Sequence, residues 1–93
     1  MSFIKPRTIY KSKTVHVYIN ECFNPKKKTR LFAIRRDDKT GLGEVLGLIK
    51  FSGAWRQYIT DFVPDTLWSS SCKRAICDFE DEMNAKWRLS LKR

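Results

Sequence analysis

Apolar residues recur with two different periods along this chain of 93 residues. Between residues 15 and 63 they alternate with polar residues or form short continuous runs, which is typical of β-strands. From Cys72 onward they recur at every third or fourth position, which indicates one face of an α-helix. The pattern therefore predicts a region of strands followed by a single helix.

Four segments fit strands, namely residues 15–22, 31–36, 45–51 and 55–63. In the first, Val15, Val17 and Ile19 share one face, and in the second, Phe32 and Ile34 share one. Residues that favour turns separate the segments: Asn24-Pro25, the stretch 37–43 and Ser52-Gly53-Ala54. Consecutive strands joined by short turns favour an antiparallel meander.

The third segment is apolar on both faces. Strict alternation puts Val45, Ile49 and Phe51 on one face and Leu46 and Leu48 on the other. The glycine at position 47 indicates a bulge or the close approach of another backbone. Because one helix covers only one face of a sheet, the second apolar face needs the N-terminal arm, a partner or a second copy. A homodimer is expected on this ground.

The helix is predicted over residues 70–91, and a serine at positions 69–71 can cap its start. Glu82 and Lys86 form a favourable pair four residues apart. The apolar stripe consists of Cys72, Ile76, Phe79, Met83 and Trp87. The expected fold class is α+β, an antiparallel meander of three to four strands with one C-terminal helix packed on one face. This single domain spans residues 14–93 and follows a basic N-terminal arm, residues 1–13.

The net charge of +9 comes entirely from the first part of the chain. Residues 1–36 contain ten Lys or Arg residues against one acid, Glu21, whereas residues 37–93 contain nine of each sign. Such asymmetry points to a polyanionic partner such as nucleic acid, and charge alone leaves a solvated basic surface without a ligand as an equal alternative. The candidate nucleic-acid-binding residues are Lys5, Arg7, Lys11, Lys13, Lys26, Lys27, Lys28, Arg30, Arg35 and Arg36. Those at positions 26–30 follow a turn and are expected to make no core contact.

Few residues indicate catalysis or a cofactor. His16 is the one histidine, and no spacing pairs it with any of the three cysteines as a nucleophile–base pair would require. The histidine and the cysteines also lack the short spacings of zinc sites. Asp78 and Glu82 share a helix face, where solvation is expected rather than metal binding. We expect a non-enzymatic protein without a cofactor.

The most distinctive short motif is Trp55-Arg56-Gln57-Tyr58. Its rings could stack on bases while Arg56 grips a phosphate. Alternation, however, directs Trp55 and Gln57 to one face and Arg56 and Tyr58 to the other, so the four cannot form one flat platform. We favour the interpretation in which Trp55 is a core residue, with base contact as the alternative.

From residue 46 onward the chain resembles a group of small, functionally uncharacterised proteins encoded by bacteriophages and other mobile elements. The shared positions are Leu46, Gly47, Ile49, Lys50, Phe51, Trp55, Arg56, Gln57, Tyr58, Pro64, Trp68, Cys72, Ile76 and Phe79. Phe51 stands where Trp is usual in that group, and the segment from Tyr58 to Pro64 is longer. The resemblance implies a phage-like origin and a non-enzymatic protein, and it supplies no activity.

Two functions are expected from these observations. The first is nucleic-acid binding, with the N-terminal third contacting phosphates. The alternative is an anti-defence inhibitor, similar in role to an anti-CRISPR protein, that binds a host nuclease or nucleoprotein complex. The first predicts affinity that falls steeply with salt, and the second does not.

The expected location is the cytoplasm of a bacterial host cell, away from the membrane. Residues 1–13 lack the apolar core of a signal peptide, and the longest apolar run, residues 45–49, is too short to span a bilayer. Three cysteines without a secretory signal indicate reduced thiols.

Overall fold

Five antiparallel strands form a meander, and one helix follows them. The computed structural model describes residues 4–25, 29–39, 41–64, 66 and 68–91. The elements are β1 (Arg7–Lys11), β2 (His16–Cys22), β3 (Leu31–Asp38), β4 (Gly41–Ser52), β5 (Gln57–Phe62) and α1 (Ser70–Ser90). The expected α+β class is confirmed, but the expected number of strands, three to four, is too low.

The additional strand, β1, lies inside the segment that was expected to be an arm. It pairs antiparallel with β2, with Arg7 opposite Ile19 and Lys11 opposite His16. A bulge between Thr8 and Tyr10 interrupts the alternation of the strand. The sequence does not predict β1 for two reasons. The bulge interrupts the alternation with period two, and the charged residue Arg7 occupies a position that faces the core.

The helix packs against both edge strands, β1 and β5, because the sheet curls around it. We call the sheet surface that faces the helix the concave face and the opposite surface the convex face. The ring of Phe32 on β3 meets that of Phe79 on α1 edge-on, with centroids 4.9 Å apart. The buried cluster between sheet and helix consists of Val17, Ile19, Phe32, Ile34, Leu46, Ile49, Tyr58, Cys72, Ile76, Phe79 and Met83. Four members of the expected helix stripe are buried, and Trp87 packs at the margin of the cluster.

Ser69 caps α1 by accepting a hydrogen bond from the backbone N–H of Cys72 at 3.2 Å. Near the other end, Asn84 is buried, and its side chain bonds the main chain of β5. Its Oδ1 accepts from the N–H of Tyr58 at 2.6 Å, and its Nδ2 donates to the carbonyl of Tyr58 at 3.3 Å. Within the described residues, no helix is long and apolar enough to cross a membrane.

A second bulge, in β4, changes the faces expected for two apolar residues. Ile34 lies opposite Gly47 but Arg35 lies opposite Val45, so that Leu46 is an extra residue in the pairing. Leu46 is therefore in the core with 3% of its surface exposed, while Val45 lies on the convex face and is 37% exposed. The strict alternation predicted for this pair is wrong for that reason.

The glycine beside the bulge is required by a close backbone approach, as the sequence indicates. A Cβ atom at Gly47 would lie 2.9 Å from the backbone oxygen of Asp61 on β5. Real Cβ atoms do not come so near to a backbone atom, so any side chain at this position forces the two strands apart.

The convex face is polar as well as apolar. Leu48 and Ala33 lie among residues such as Arg35, which donates hydrogen bonds to Asn20 Oδ1 and to the Gly43 carbonyl, both at 2.8 Å. A surface of this kind does not need a second copy to cover it. The homodimer therefore stays a prediction, and a mass near 11.0 kDa in light scattering at micromolar concentration would contradict it.

Candidate nucleic-acid interface

The strands run between two ends of the sheet that carry different sets of cations. The first, which we call the basic end, comprises the loop 23–30, the turn 53–56 and the C-terminal turns of α1. Its described cations are Lys5, Arg30, Arg56, Lys86 and Arg88. At the opposite end lie the turn 12–15 and Lys39, which follows β3. The seven residues of β2 separate the two ends by about 20 Å.

Arg30 joins the loop of the basic end to the core. Its Nε donates to Glu21 Oε2 at 2.9 Å and its Nη2 to Oε1 at 2.8 Å, and the guanidinium lies over the ring of Phe32. The Glu21 side chain is only 4% exposed, so the arginine supplies the charge that makes its burial tolerable. These hydrogen bonds hold the pKa of Glu21 below its usual range. The expectation that Arg30 makes no core contact is wrong.

Arg7 joins β1 to the helix in a similar way. Its two Nη atoms donate to the two carboxylate oxygens of Glu82 at 2.9 and 3.0 Å, and its guanidinium lies over the ring of Phe79. The hydrogen bond from Arg7 lowers the pKa of Glu82. Glu82 also lies 3.5 Å from the Nζ of Lys86, which is the expected pair four residues apart.

The other two arginines of the N-terminal third are also held by the fold. Arg36 pairs with Asp38 at 3.0 Å and with Glu44, and Arg35 makes its two hydrogen bonds on the convex face. A planar guanidinium with several fixed donors suits such two-pronged contacts better than a lysine does. The arginines in this third of the chain therefore serve the fold.

The predicted lysines divide between the two ends. Lys5, Lys11 and Lys13 are exposed and have no ion pair or hydrogen bond within the part of the chain that the structure describes. Lys5 precedes β1 at the basic end, whereas the other two lie at the opposite end. Lys26, Lys27 and Lys28 fall outside the described residues.

The base of the lysine-rich loop is well defined on both sides. Asn24 Nδ2 donates to the carbonyl of Thr29 at 2.8 Å, and the N–H of Arg30 donates to the hydroxyl of Tyr58 at 3.0 Å. The first bond closes the loop, and the second ties it to β5. Both ends of the loop are thus fixed at the basic end.

The C-terminal turns of α1 add cations to the basic end. A cavity of about 200 Å³ there is lined by Arg30, Tyr58, Met83, Lys86, Trp87 and Ser90. Arg88 follows on the exposed side of the helix. These cations are visible in the sequence, but their favourable interaction with the helix dipole is by itself a sufficient reason for their presence there. Only the antiparallel topology reveals that they lie near the loop.

Two aromatic side chains are exposed at the basic end. Trp55 in the turn and Phe23 in the loop each have 71% of their surface in solvent. The interpretation of Trp55 as a core residue is therefore wrong. The turn directs the Trp55 side chain outward. The backbone N–H of Trp55 donates to Ser52 Oγ at 3.3 Å, and Arg56 lies in the left-handed region at φ 54°. Phe23 was not singled out from the sequence, although it falls outside the alternation of β2.

The opposite end contains a cleft of about 320 Å³, which we call the lysine cleft. Its lining includes the charged residues Lys11, Lys13, Asp37, Asp38 and Lys39, and also His16. Asp37 accepts hydrogen bonds from the hydroxyl of Tyr18 at 3.3 Å and from the N–H of Gly43 at 2.6 Å. Because two carboxylates line the cleft together with its lysines, its positive charge is partly offset. The basic end is the stronger candidate for binding a polyanion.

Groups that could hold a metal are not gathered anywhere in the described ranges. There, no three His, Cys, Asp or Glu side chains lie close enough to share an ion. Cys22, Cys72 and Cys77 are free thiols, and Cys72 belongs to the core. The basic end offers positive charge and aromatic surface, which suit binding.

Comparison of the chain with protein-family models, curated proteins and solved structures finds no match. A functional proposal therefore rests on the residues of the basic end.

Proposed function

We propose that this protein binds nucleic acid through phosphate contacts at the basic end and catalyses no reaction. One observation carries the proposal: Lys86, from the part of the chain that has no net charge, lines one cavity together with Arg30 of the basic N-terminal third, and Arg88 follows it on the helix. Cations that are distant in the sequence thus converge on one surface. Such a surface attracts phosphates over a range set by the salt concentration.

The acidic residues of this surface support the same proposal. Glu21 is occupied by Arg30, and Glu82 by Arg7 and Lys86. Each of these acids cancels positive charge of its own partners, whereas Lys5, Arg56 and Arg88 form no ion pair within the described residues and keep their full charge. Flexible lysines contact phosphates without reading bases, so we propose binding with little sequence preference.

Replacing Lys26, Lys27 and Lys28 together by alanine should weaken nucleic-acid binding about tenfold or more, because up to three phosphate contacts are lost. The melting temperature should stay nearly unchanged, since hydrogen bonds of Asn24 and Arg30 hold the two described ends of the loop. A mobility-shift titration at several salt concentrations measures both the affinity and the slope of its logarithm against that of the salt. The slope should become shallower in the variant.

The matched control removes the same charge from the opposite end. Replacing Lys11, Lys13 and Lys39 by alanine should reduce the affinity much less, because these side chains lie around the lysine cleft. Equal losses in the two triple variants would mean that net charge alone governs binding, and the assignment to the basic end would be wrong.

A second candidate function, inhibition of a host defence nuclease by a protein of phage origin, is favoured by the apolar residues beside the cations. Leu89 and Leu91 at the end of α1 are 64% and 61% exposed. Apolar side chains surrounded by charges are common in protein interfaces. A pull-down from bacterial lysate, with and without nuclease treatment, separates the two functions. A protein partner retained after nuclease treatment would support the inhibitor.

A further inference from the structure

We propose that the nucleic acid bound at the basic end is single-stranded, with one base stacked on Trp55 and another on Phe23. This inference rests on the proposed function, because the cations hold the backbone while the rings hold the bases. Its basis is the exposure of both rings, at 71% each, on the surface where the cations converge.

The turn that carries Trp55 holds the ring out of the core. The indole belongs to the tip between β4 and β5, after the last strand pair, Ser52 with Gln57. The hydrogen bond from the backbone N–H of Trp55 to Ser52 Oγ fixes the tip, and Arg56 adopts a strained left-handed conformation that completes it. Strained backbone conformations of this kind cluster at functional sites.

The two rings belong to a loop and a turn that lie close enough together for one nucleic-acid strand to reach both. The loop with Phe23 joins β2 to β3, and the turn with Trp55 joins β4 to β5, so the two lie about 10 Å apart, two strand spacings. The bond between the N–H of Arg30 and the hydroxyl of Tyr58 connects the loop to the start of β5, directly after the turn. Arg56 and Lys86 lie on the same end to receive the phosphates.

Single strands are favoured over duplexes because the bases of a duplex already stack on each other. Exposed aromatic rings gain a partner only where bases can turn outward, and such stacking tolerates any base. A duplex would use the cations of the basic end but leave Trp55 without a contact. The surrounding cations favour a polyanion over an apolar protein surface.

The test compares Trp55→Ala and Trp55→Phe with the unchanged protein. The probes are a single-stranded thymidine oligonucleotide and a duplex of equal length, measured by fluorescence anisotropy at one salt concentration. Trp55→Ala should weaken binding of the single strand about tenfold and leave duplex binding unchanged, and Trp55→Phe should restore most of the loss. Phe23→Ala should show the same selectivity. The melting temperatures should not change, since both rings are exposed.

Arg56→Gly is the control for charge at the same turn. It removes a cation and relieves the left-handed strain, so it should weaken the single strand and the duplex alike.

Four outcomes overturn the inference. If Trp55→Ala binds the single strand as well as the unchanged protein does, or loses both probes equally, stacking is wrong, although the lysine variants can still support phosphate binding. If no oligonucleotide binds at low salt, the proposed function fails as well. If Trp55→Ala instead loses affinity only for vesicles of phosphatidylglycerol, the turn contacts a membrane surface.

Discussion

Phe32→Ala should lower the free energy of unfolding by about 3–5 kcal/mol, the range found when a large buried aromatic residue is truncated. The ring of Phe32 is fully buried on the central strand β3. It contacts Phe79 at 4.9 Å and Tyr58 at 6.5 Å between ring centroids, and Arg30 covers it from the side. A cavity here opens between sheet and helix, where few neighbours can move to fill it. Urea denaturation followed by circular dichroism measures the loss.

Phe23→Ala is the matched control, since it makes the same chemical change at a ring that is mostly in solvent. Its effect on the free energy of unfolding should stay within about 0.5 kcal/mol, as for other surface positions. A Phe32→Ala protein no less stable than Phe23→Ala would show that the contact between Phe32 and Phe79 is not the centre of the core.

Arg30→Ala should cost about 2–3 kcal/mol of stability at neutral pH. It leaves the Glu21 carboxylate buried, and among the described residues only the N–H of Ile4, at 3.0 Å, still donates to it. Removing one partner of a fully buried ion pair costs about 3–5 kcal/mol, and the smaller figure applies because a third of the Arg30 side chain is in solvent. Arg88→Ala, an exposed arginine on α1, is the control and should change stability little. An Arg30→Ala variant as stable as Arg88→Ala would contradict the role of the pair.

The pH dependence of Arg30→Ala follows from the pKa of Glu21. In the unchanged protein the folded-state pKa of Glu21 lies below its ordinary value of 4.5, chiefly because of the hydrogen bonds from Arg30. This contribution is fully present above 4.5 and is lost as the pH falls through the folded-state pKa. In the variant the Glu21 carboxylate is buried without its arginine partner, so protonation removes the cost of burying its charge. The difference in stability between the two proteins should therefore shrink on acidification. A constant difference from pH 7 to pH 3 would contradict this.

Local patterns predict those elements whose residues follow one period without interruption. The faces of β2 and β3 are as expected, with Val17 and Ile19 on the core side together with Phe32 and Ile34. The helix begins at the predicted residue, and Cys72 lies in the core as a small apolar residue. In these elements the alternating or helical spacing of the apolar residues matches the residues that are buried, so the sequence is sufficient to predict their faces.

Bulges are the main reason why other elements could not be predicted. One extra residue at Leu46 exchanges the faces of its neighbours, and another near Ile9 disrupts β1. Each depends on how two strands pair, which no local window contains. Trp55 was assigned to the core because large aromatic residues are buried more often than not, whereas here the turn decides.

The candidate site was predicted in its charge but not in its shape. The sequence shows the excess of cations, yet the choice between fold and ligand depends on distant partners, such as Glu82 for Arg7, which are 75 positions apart. Nothing near Arg7 in the chain indicates that pairing. The same holds for the position of Lys86 beside Arg30, which depends on how the helix packs across the sheet.

The side chain of Asn84 occupies the place that a neighbouring strand would take beside β5. Its amide accepts from the N–H of Tyr58 and donates to the carbonyl, as a peptide group of a sixth strand would. An outer strand with free main-chain groups invites the chains of other molecules to extend the sheet, which leads to fibres or swapped assemblies. The helix thus ends the sheet by imitating one more residue of it, and at this position β5 has no free N–H with which to recruit another copy. On the other edge the bulge in β1 distorts the ladder that an incoming strand would have to match. At high concentration the protein should therefore resist aggregation by strand addition at either edge. Asn84→Leu should make it prone to such aggregation.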